Sequence, residues 1–450
     1  MVISCEPTEE KITSDISAQL IFSSDTIIFD TLLSSVGSIT KRLRIFNPND
    51  NAIELSKLAL GKGQNSPYTI WVNGEQSNSF TNEVIFGKDS LLVLVEVFID
   101  PKDENLPFLV KDSLIVEANG NTGFVRFVAW GQDAIYIDNE IIACNTTWTA
   151  DRPYVIYDTA LVNTNCKLII EQGTRIYINN GASLFIAGSL QINGTLENKV
   201  VIRNTRFDAR FENVPGQWGG IFFLEGSSDN HIEHAVIRNG SQGLRVGNPD
   251  SDDLFDLIVS NSEIKNMSIS GIEAYSSDVQ VTNTLIYNCG TFTMGCFLGG
   301  TYDLKHCTFT NGQSLLSSEG PSVVFTDNIV LQDNSILVEP LNASMQNCIV
   351  WGSQEEEFLI SESGNSTVNL TMNNNILRST NEAYNISNNI LSQERNFPGF
   401  VNDFSFDYQI DSLSNARDKG IDLGQVFDLL GTERDLMPDI GAYERKDSIP

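Results

Sequence analysis

The chain carries three histidines, seven cysteines and 58 acidic side chains, and these bound the chemistry open to it. His231 and His234 stand three residues apart in a strand-like run, which places them on opposite faces and argues against a zinc pair. No Cys-x-x-Cys occurs, so the common zinc and redox spacings are missing. Asp250, Asp252, Asp253 and Asp256 crowd one loop without the spacing and central glycine of a calcium loop, and read as solvated. Glycoside hydrolysis needs two carboxylates roughly 5–10 Å apart across a sugar. Glu233 and Glu263 are the facing pair the sequence offers, and a bend between them leaves their register open. No catalytic residue, metal ligand or cofactor is assigned. A second set suits recognition better. Arg238, Lys265, Tyr287, Trp351 and Arg378 recur at one outward position of a repeat. Aromatic faces stack on sugar rings, and Arg or Lys pairs with carboxylated or sulfated sugars, so these five are the candidate ligand-binding residues.

The repeat that positions them runs from 232 to 391. Segments 232–237, 259–264, 281–286, 304–309, 325–330, 345–350, 372–377 and 386–391 share one pattern: apolar, any, polar, any, any, apolar. The polar position holds His234, Asn261, Asn283, His306, Asp327, Asn347, Asn374 and Asn388, with steps of 27, 22, 23, 21, 20, 27 and 14 residues. The first apolar residue and the polar one share a strand face, whereas the second apolar residue follows at an odd offset that demands a bend. Strand, bend and strand at such intervals is the coil of a parallel β-helix. The polar column is expected to face inward and to stack as a hydrogen-bonded ladder about 4.8 Å per coil. On this register Cys307 and Cys348 lie two coils apart, about 9.6 Å, beyond the roughly 7 Å that a disulfide spans. Cys289 with Cys296 stays open.

Upstream, residues 21–131 are an all-β module. Thr26–Phe29, Leu43–Phe46, Leu91–Ile99 and Phe124–Val128 are rich in branched and aromatic residues and are separated by Asn47-Pro48-Asn49-Asp50, Asn73-Gly74 and Asn119-Gly120 turns. About seven short strands in about 110 residues suit an immunoglobulin-like sandwich. The net charge of −30 over 450 residues excludes a general nucleic-acid binder and disfavours an anionic membrane surface. The sequence contains no apolar run long enough for a membrane-spanning helix.

Val2-Ile3-Ser4-Cys5 resembles the end of a bacterial lipobox, in which Cys5 becomes the lipidated first residue after an upstream signal peptide. The Ig-like module resembles surface modules with an "IFNPND" strand end, here Ile45 to Asp50, and a closing "WGQD", here Trp130 to Asp133. Asp418-Lys419-Gly420 before Pro438–Glu444, "PDIGAYE", resembles the C-terminal segment of right-handed parallel β-helix lipoproteins. Together the chain resembles Bacteroidetes-type outer-membrane lipoproteins. That resemblance implies a tether bearing Cys5 over 1–20, a sandwich over 21–131, a right-handed parallel β-helix over 132–395 and a capping segment over 396–450. It further implies an outer-membrane position, on the cell surface or the periplasmic face, held by a lipid anchor. The function expected first is a non-enzymatic scaffold or partner-binding subunit that docks an outer-membrane barrel or another surface lipoprotein. A glycan-binding protein is the alternative, and a polysaccharide lyase or glycosidase a lesser one.

Overall fold

The computed structural model describes residues 11–35, 37–247, 254–311, 318 and 320–446. Cys5 and the loop acids Asp250, Asp252 and Asp253 lie outside the described residues. The chain divides into two compact units, Met1–Ala134 and Ile135–Pro450. Among the described residues every regular element is a strand or a three-residue 3-10 turn.

The first unit is a two-sheet sandwich. In Lys41–Phe46 and its antiparallel partner Ser90–Val97, alternate residues turn inward, burying Leu43, Ile45, Leu91, Val93, Val95 and Val97. The other sheet is built around the hairpin Phe108–Ala118 and Asn121–Gln132. Its turn, Asn119-Gly120, holds φ of 51° and 76°, the doubly left-handed geometry whose twist matches a two-residue hairpin. Tyr68 joins the sheets: its ring lies 5.9 Å from Phe29 and 5.3 Å from Phe127, and its hydroxyl donates to the Val110 carbonyl at 2.9 Å.

The second unit is a parallel β-solenoid with three faces. Sheet A has 11 strands, from Ile135–Ile137 through Ala235–Arg238, Leu285–Cys289, Thr308–Thr310 and Ile349–Trp351 to Ile390–Leu391. Sheets B and C share two long strands, Ser270–Thr282 and Phe292–Lys305, whose first halves continue sheet B and second halves sheet C. Each coil passes B, then C, then A. In-register pairing places Ile237, Ile264, Ile286, Phe309, Val350 and Leu377 in one fully buried file.

The bend between C and A is where the sequence pattern sits, and its side chains run the other way from expectation. His234, Asn261, Asn283, His306, Asn347, Asn374 and Asn388 all hold φ between 48° and 62°. A left-handed residue reverses the chain within one position and turns its own side chain out, so the following residue enters the core. The inward column is therefore Ala235, Ser262, Thr284, Cys307, Cys348, Asn375 and Asn389, all buried. It is also bonded: Ser262 Oγ accepts from the Ala235 amide at 3.0 Å, and Asn375 Oδ1 from the Cys348 amide at 2.9 Å. Asn and His predominate at the bend because short polar side chains tolerate φ > 0.

Asp327 does not belong to that column. Sheet A steps directly from Thr308–Thr310 to Ile349–Trp351, so His306 and Asn347 occupy neighbouring coils. The residues between them form one long coil whose corner between sheets B and C extends as an antiparallel hairpin, Asn328–Val330 with Ile336–Val338. Asp327 stands at its base. Burial opposes its charge, but donors from Asn328, Ser363 and Ser366 hold its carboxyl down to about 2. Cys307 and Cys348 are thus one coil apart, not two, and both are buried free thiols, so distance is not what keeps them unbridged.

The structure also holds a disulfide that the sequence reading missed. Cys144 and Cys166 are bonded, 22 residues and one coil apart, with Cα atoms 4.6 Å from each other. The spacing equals the repeat and was a readable signal. Closing a loop of this length contributes about 3 kcal/mol. We expect Cys144→Ser with Cys166→Ser to lower the denaturation midpoint accordingly, and alkylation of the unfolded, unreduced native chain to label Cys307 and Cys348 but neither Cys144 nor Cys166.

Candidate binding surface

Residues 401–446 lie along the side of the coils rather than only over the last one. Asn374 Nδ2 donates to the Lys419 carbonyl at 2.7 Å, Asn347 Nδ2 to Ile421 at 2.7 Å and Asn283 Nδ2 to Phe427 at 3.2 Å. The outward bend column is thus the rail on which this strap is laid. Between coils the column is bonded to itself where neighbours meet: Asn283 Nδ2 donates to Asn261 Oδ1 at 2.7 Å, and Asn347 Nδ2 lies 3.0 Å from His306 Nε2. His234 and Asn261 are half-buried and Asn388 is exposed, so the strap seals only the middle of the rail.

Its fastening is a buried ion pair. Arg434 and Glu444 are 3.4 Å apart with almost no exposure, and Arg434 Nη2 also donates to Asn283 Oδ1 at 3.0 Å and to the Gly441 carbonyl at 2.9 Å. Gly441 holds φ of 103°, and a Cβ there would come within 2.8 Å of Ile349 and Thr308, so glycine is required in the "PDIGAYE" stretch. His306 borders this node. Burial, reinforced by the Arg434 charge, pushes its imidazole down to about 3. Asp439 and Glu444, facing the same space, are pushed up by burial.

The five candidate ligand residues do share one file of sheet A: Arg238 pairs with Lys265, Lys265 with Tyr287, Tyr287 with Thr310 and Thr310 with Trp351, with Arg378 next. The file is not an open platform. Arg238 is ion-paired with Glu212, and Arg203, one coil earlier and missed by the pattern, reaches the same carboxylate at 3.6 Å. Lys265 Nζ lies 2.8 Å from Glu263, which also accepts from Tyr287 Oη at 3.0 Å. Glu263 is thereby engaged within sheet A, while Glu233, in sheet C, lies 3.5 Å from the Asn261 side-chain amide. Tyr287 is 5% exposed, with its ring 5.1 Å from Tyr408, and burial pushes its phenol up. Trp351 is 3% exposed, its Nε1 donating to the Arg395 carbonyl at 3.1 Å. Outward alternation was read correctly, but a strap from over a hundred residues downstream of Tyr287 covers the face, which local periodicity does not reveal.

A second polar column was also missed. Asn239, Asn266, Asn288 and Asn311 follow the bend column at a constant offset of five residues, and all four are buried at the far end of the sheet A strands. Asn288 donates to Asn266, and Asn311 Oδ1 accepts from the Cys289 amide at 2.9 Å. Where sheet A and the strap part, a recess of about 260 Å³ remains, lined by Thr310, Trp351, Ser353, Arg378, Arg395 and Asp403 among others.

Comparison with known proteins agrees with this architecture. Residues 219–389 match the family model described as the right handed beta helix region. The region is a right-handed parallel β-helix. No curated protein matches the chain. Among solved structures, the catalytic unit of a GH87 α-1,3-glucanase from Streptomyces thermodiastaticus is similar at 10% identity and a TM-score of 0.26, over 74% of this chain and 79% of that one. A family 123 glycoside hydrolase from Clostridium perfringens aligns at 8% identity and a TM-score of 0.19, over 25% of each chain. The human CEP192 PapD-like domain aligns at 12% identity and a TM-score of 0.18, over 30% of this chain and 96% of that one. The chain thus spans about a quarter of the family 123 enzyme, and likenesses at these TM-scores carry no argument about activity.

Two outcomes follow from the rail. Asn283→Leu leaves Arg434 short of an acceptor, at about 1–3 kcal/mol, and forces a branched side chain into a left-handed position, at about 1–2 kcal/mol. Asn283→His keeps a polar residue that this bend already accepts at 234 and 306, so thermal midpoints should fall in the order wild type, His, Leu. His306 titrates lower folded than its ordinary 6.5, so the unfolded chain takes up the proton first. Its contribution is full above pH 6.5 and is lost as pH falls toward 3, the opposite sign to Asp439 and Glu444. His306→Asn should flatten the stability profile across that window in denaturant titrations at stepped pH.

Proposed function

We propose that the protein is an exported, non-enzymatic subunit whose β-helix carries a docking surface for a partner polypeptide at the outer membrane. The observation that carries this reading is the outer side of the strap. Between Val426 and Met437 it exposes Phe427 at 53%, Leu436 at 85% and Met437 at 61%, although Leu429 in the same stretch is buried. Several exposed apolar side chains along one short segment held down by a buried ion pair support an interaction site. The Cys144–Cys166 disulfide supports export, since such bonds persist in oxidising compartments. The anchor reading rests on Val2-Ile3-Ser4-Cys5 and on the likeness of "PDIGAYE" to Bacteroidetes-type lipoproteins. The partner would be a membrane barrel or a second surface lipoprotein.

The test uses the full-length gene with its upstream signal, cross-linked in intact cells and fractionated. Wild type is expected in the outer membrane, joined to one discrete second polypeptide through the strap. Phe427→Ser with Leu436→Ser should leave the chain in the membrane with an unchanged melting midpoint but uncoupled. Cys5→Ala should release it to the soluble fraction. Wild type recovered without a partner overturns the docking reading, and Cys5→Ala retained through high salt overturns the anchor.

A further inference from the structure

We infer that the recess between sheet A and the strap binds a single sugar ring bearing a carboxylate, a uronate, independently of the partner surface. Its two guanidiniums are the observation. In a chain of 58 acids and 28 bases, three of the buried or half-buried arginines are claimed by carboxylates: Arg203 and Arg238 by Glu212, Arg434 by Glu444. Arg378 and Arg395 have no carboxylate within ion-pair distance among the described residues, yet both line this one recess. Arg378 lies over the Trp351 ring at 5.6 Å and gives Nη1 to the Gly352 carbonyl, while its Nε is buried with no acceptor. Nη2 is left as the donor available to a ligand. The buried Glu357 feels the Arg378 charge but spends its oxygens on Ser322 and Gln354.

Arg395 comes from the opposite wall. Its guanidinium rests 5.6 Å from the Phe404 ring, and its carbonyl is held by Trp351 Nε1, so the backbone that presents it is fixed while the charged head stays exposed. Two guanidiniums lining one recess suit the paired oxygens of a carboxylate. Ser353 adds a hydroxyl to the lining, a group that bonds sugar hydroxyls. The volume of about 260 Å³ falls below the roughly 300 Å³ at which drug-sized pockets begin, which admits one ring and not a chain segment.

The experiment is titration calorimetry of the purified full chain at low salt with D-glucuronate, D-glucose and inorganic sulfate as separate probes. Saturable binding of glucuronate, with glucose at least tenfold weaker, is expected. Arg395→Gln should weaken glucuronate by about tenfold or more, the ratio that one charge-assisted hydrogen bond supplies. Lys88→Gln, in the first unit, should leave it unchanged and so controls for loss of general charge. If Arg378→Gln fails to fold, Arg395→Gln decides alone, because the side chain is exposed and its head rests on the Phe404 ring. Equal binding of glucose and glucuronate, no binding of either, sulfate binding as tightly as glucuronate, or full affinity in Arg395→Gln each overturns the assignment.

Discussion

From His234 onward every coil of the β-helix turns the corner between sheets C and A in one residue, which it can do only by entering the left-handed region. That backbone constraint selects the side chain, directs it outward and lets the next residue enter the core. Three consequences stack on it: a bonded inward column, a polar outward rail, and a strap laid along that rail. Had the corner been made by right-handed residues over a longer loop, the rail would not exist and the strap would have no regular set of donors to meet.

The same constraint explains what could be read beforehand. The recurrence of Asn and His at one place in an apolar pattern, at steps of 22, 23 and 27 residues in most coils, exposed the coil, its length and its parallel stacking, because a repeated backbone demand leaves a repeated residue. The direction of the side chain was not readable from spacing alone, since an odd offset announces a bend without saying which residue points inward. Asp327 shows the complementary failure. It mimics the motif, but its environment is the base of a hairpin, and only the pairing of Thr308 with Ile349 tells the two apart. Two signals were present and passed over: the 22-residue interval of Cys144 and Cys166, and the second asparagine file five residues behind the first. The recess lay beyond reach, because Arg378 and Arg395 meet there only through the path of the strap.

Charge is organised in the same economical way. The chain is strongly acidic, yet its interior polar groups are largely matched, as at Arg434 with Glu444, Asn283 and two carbonyls. Buried pairs of this kind contribute little net stability beside an apolar alternative, but breaking one partner is costly, and they enforce a single arrangement. Here the arrangement enforced is the register of the strap against particular coils.

That register changes how the molecule comes apart. A stack of coils in contact only with their neighbours frays from its ends, one repeat at a time. The strap joins coils far apart in the stack, from the Asn374 bend to Leu196, against which Gly431 is packed. A lateral tie of that length replaces stepwise unzipping with a single cooperative event over the coils it crosses. It also sets an order of assembly: the rail can form as the coils are made, but the lock closes only after the strap, which follows all of those coils in the chain, has arrived.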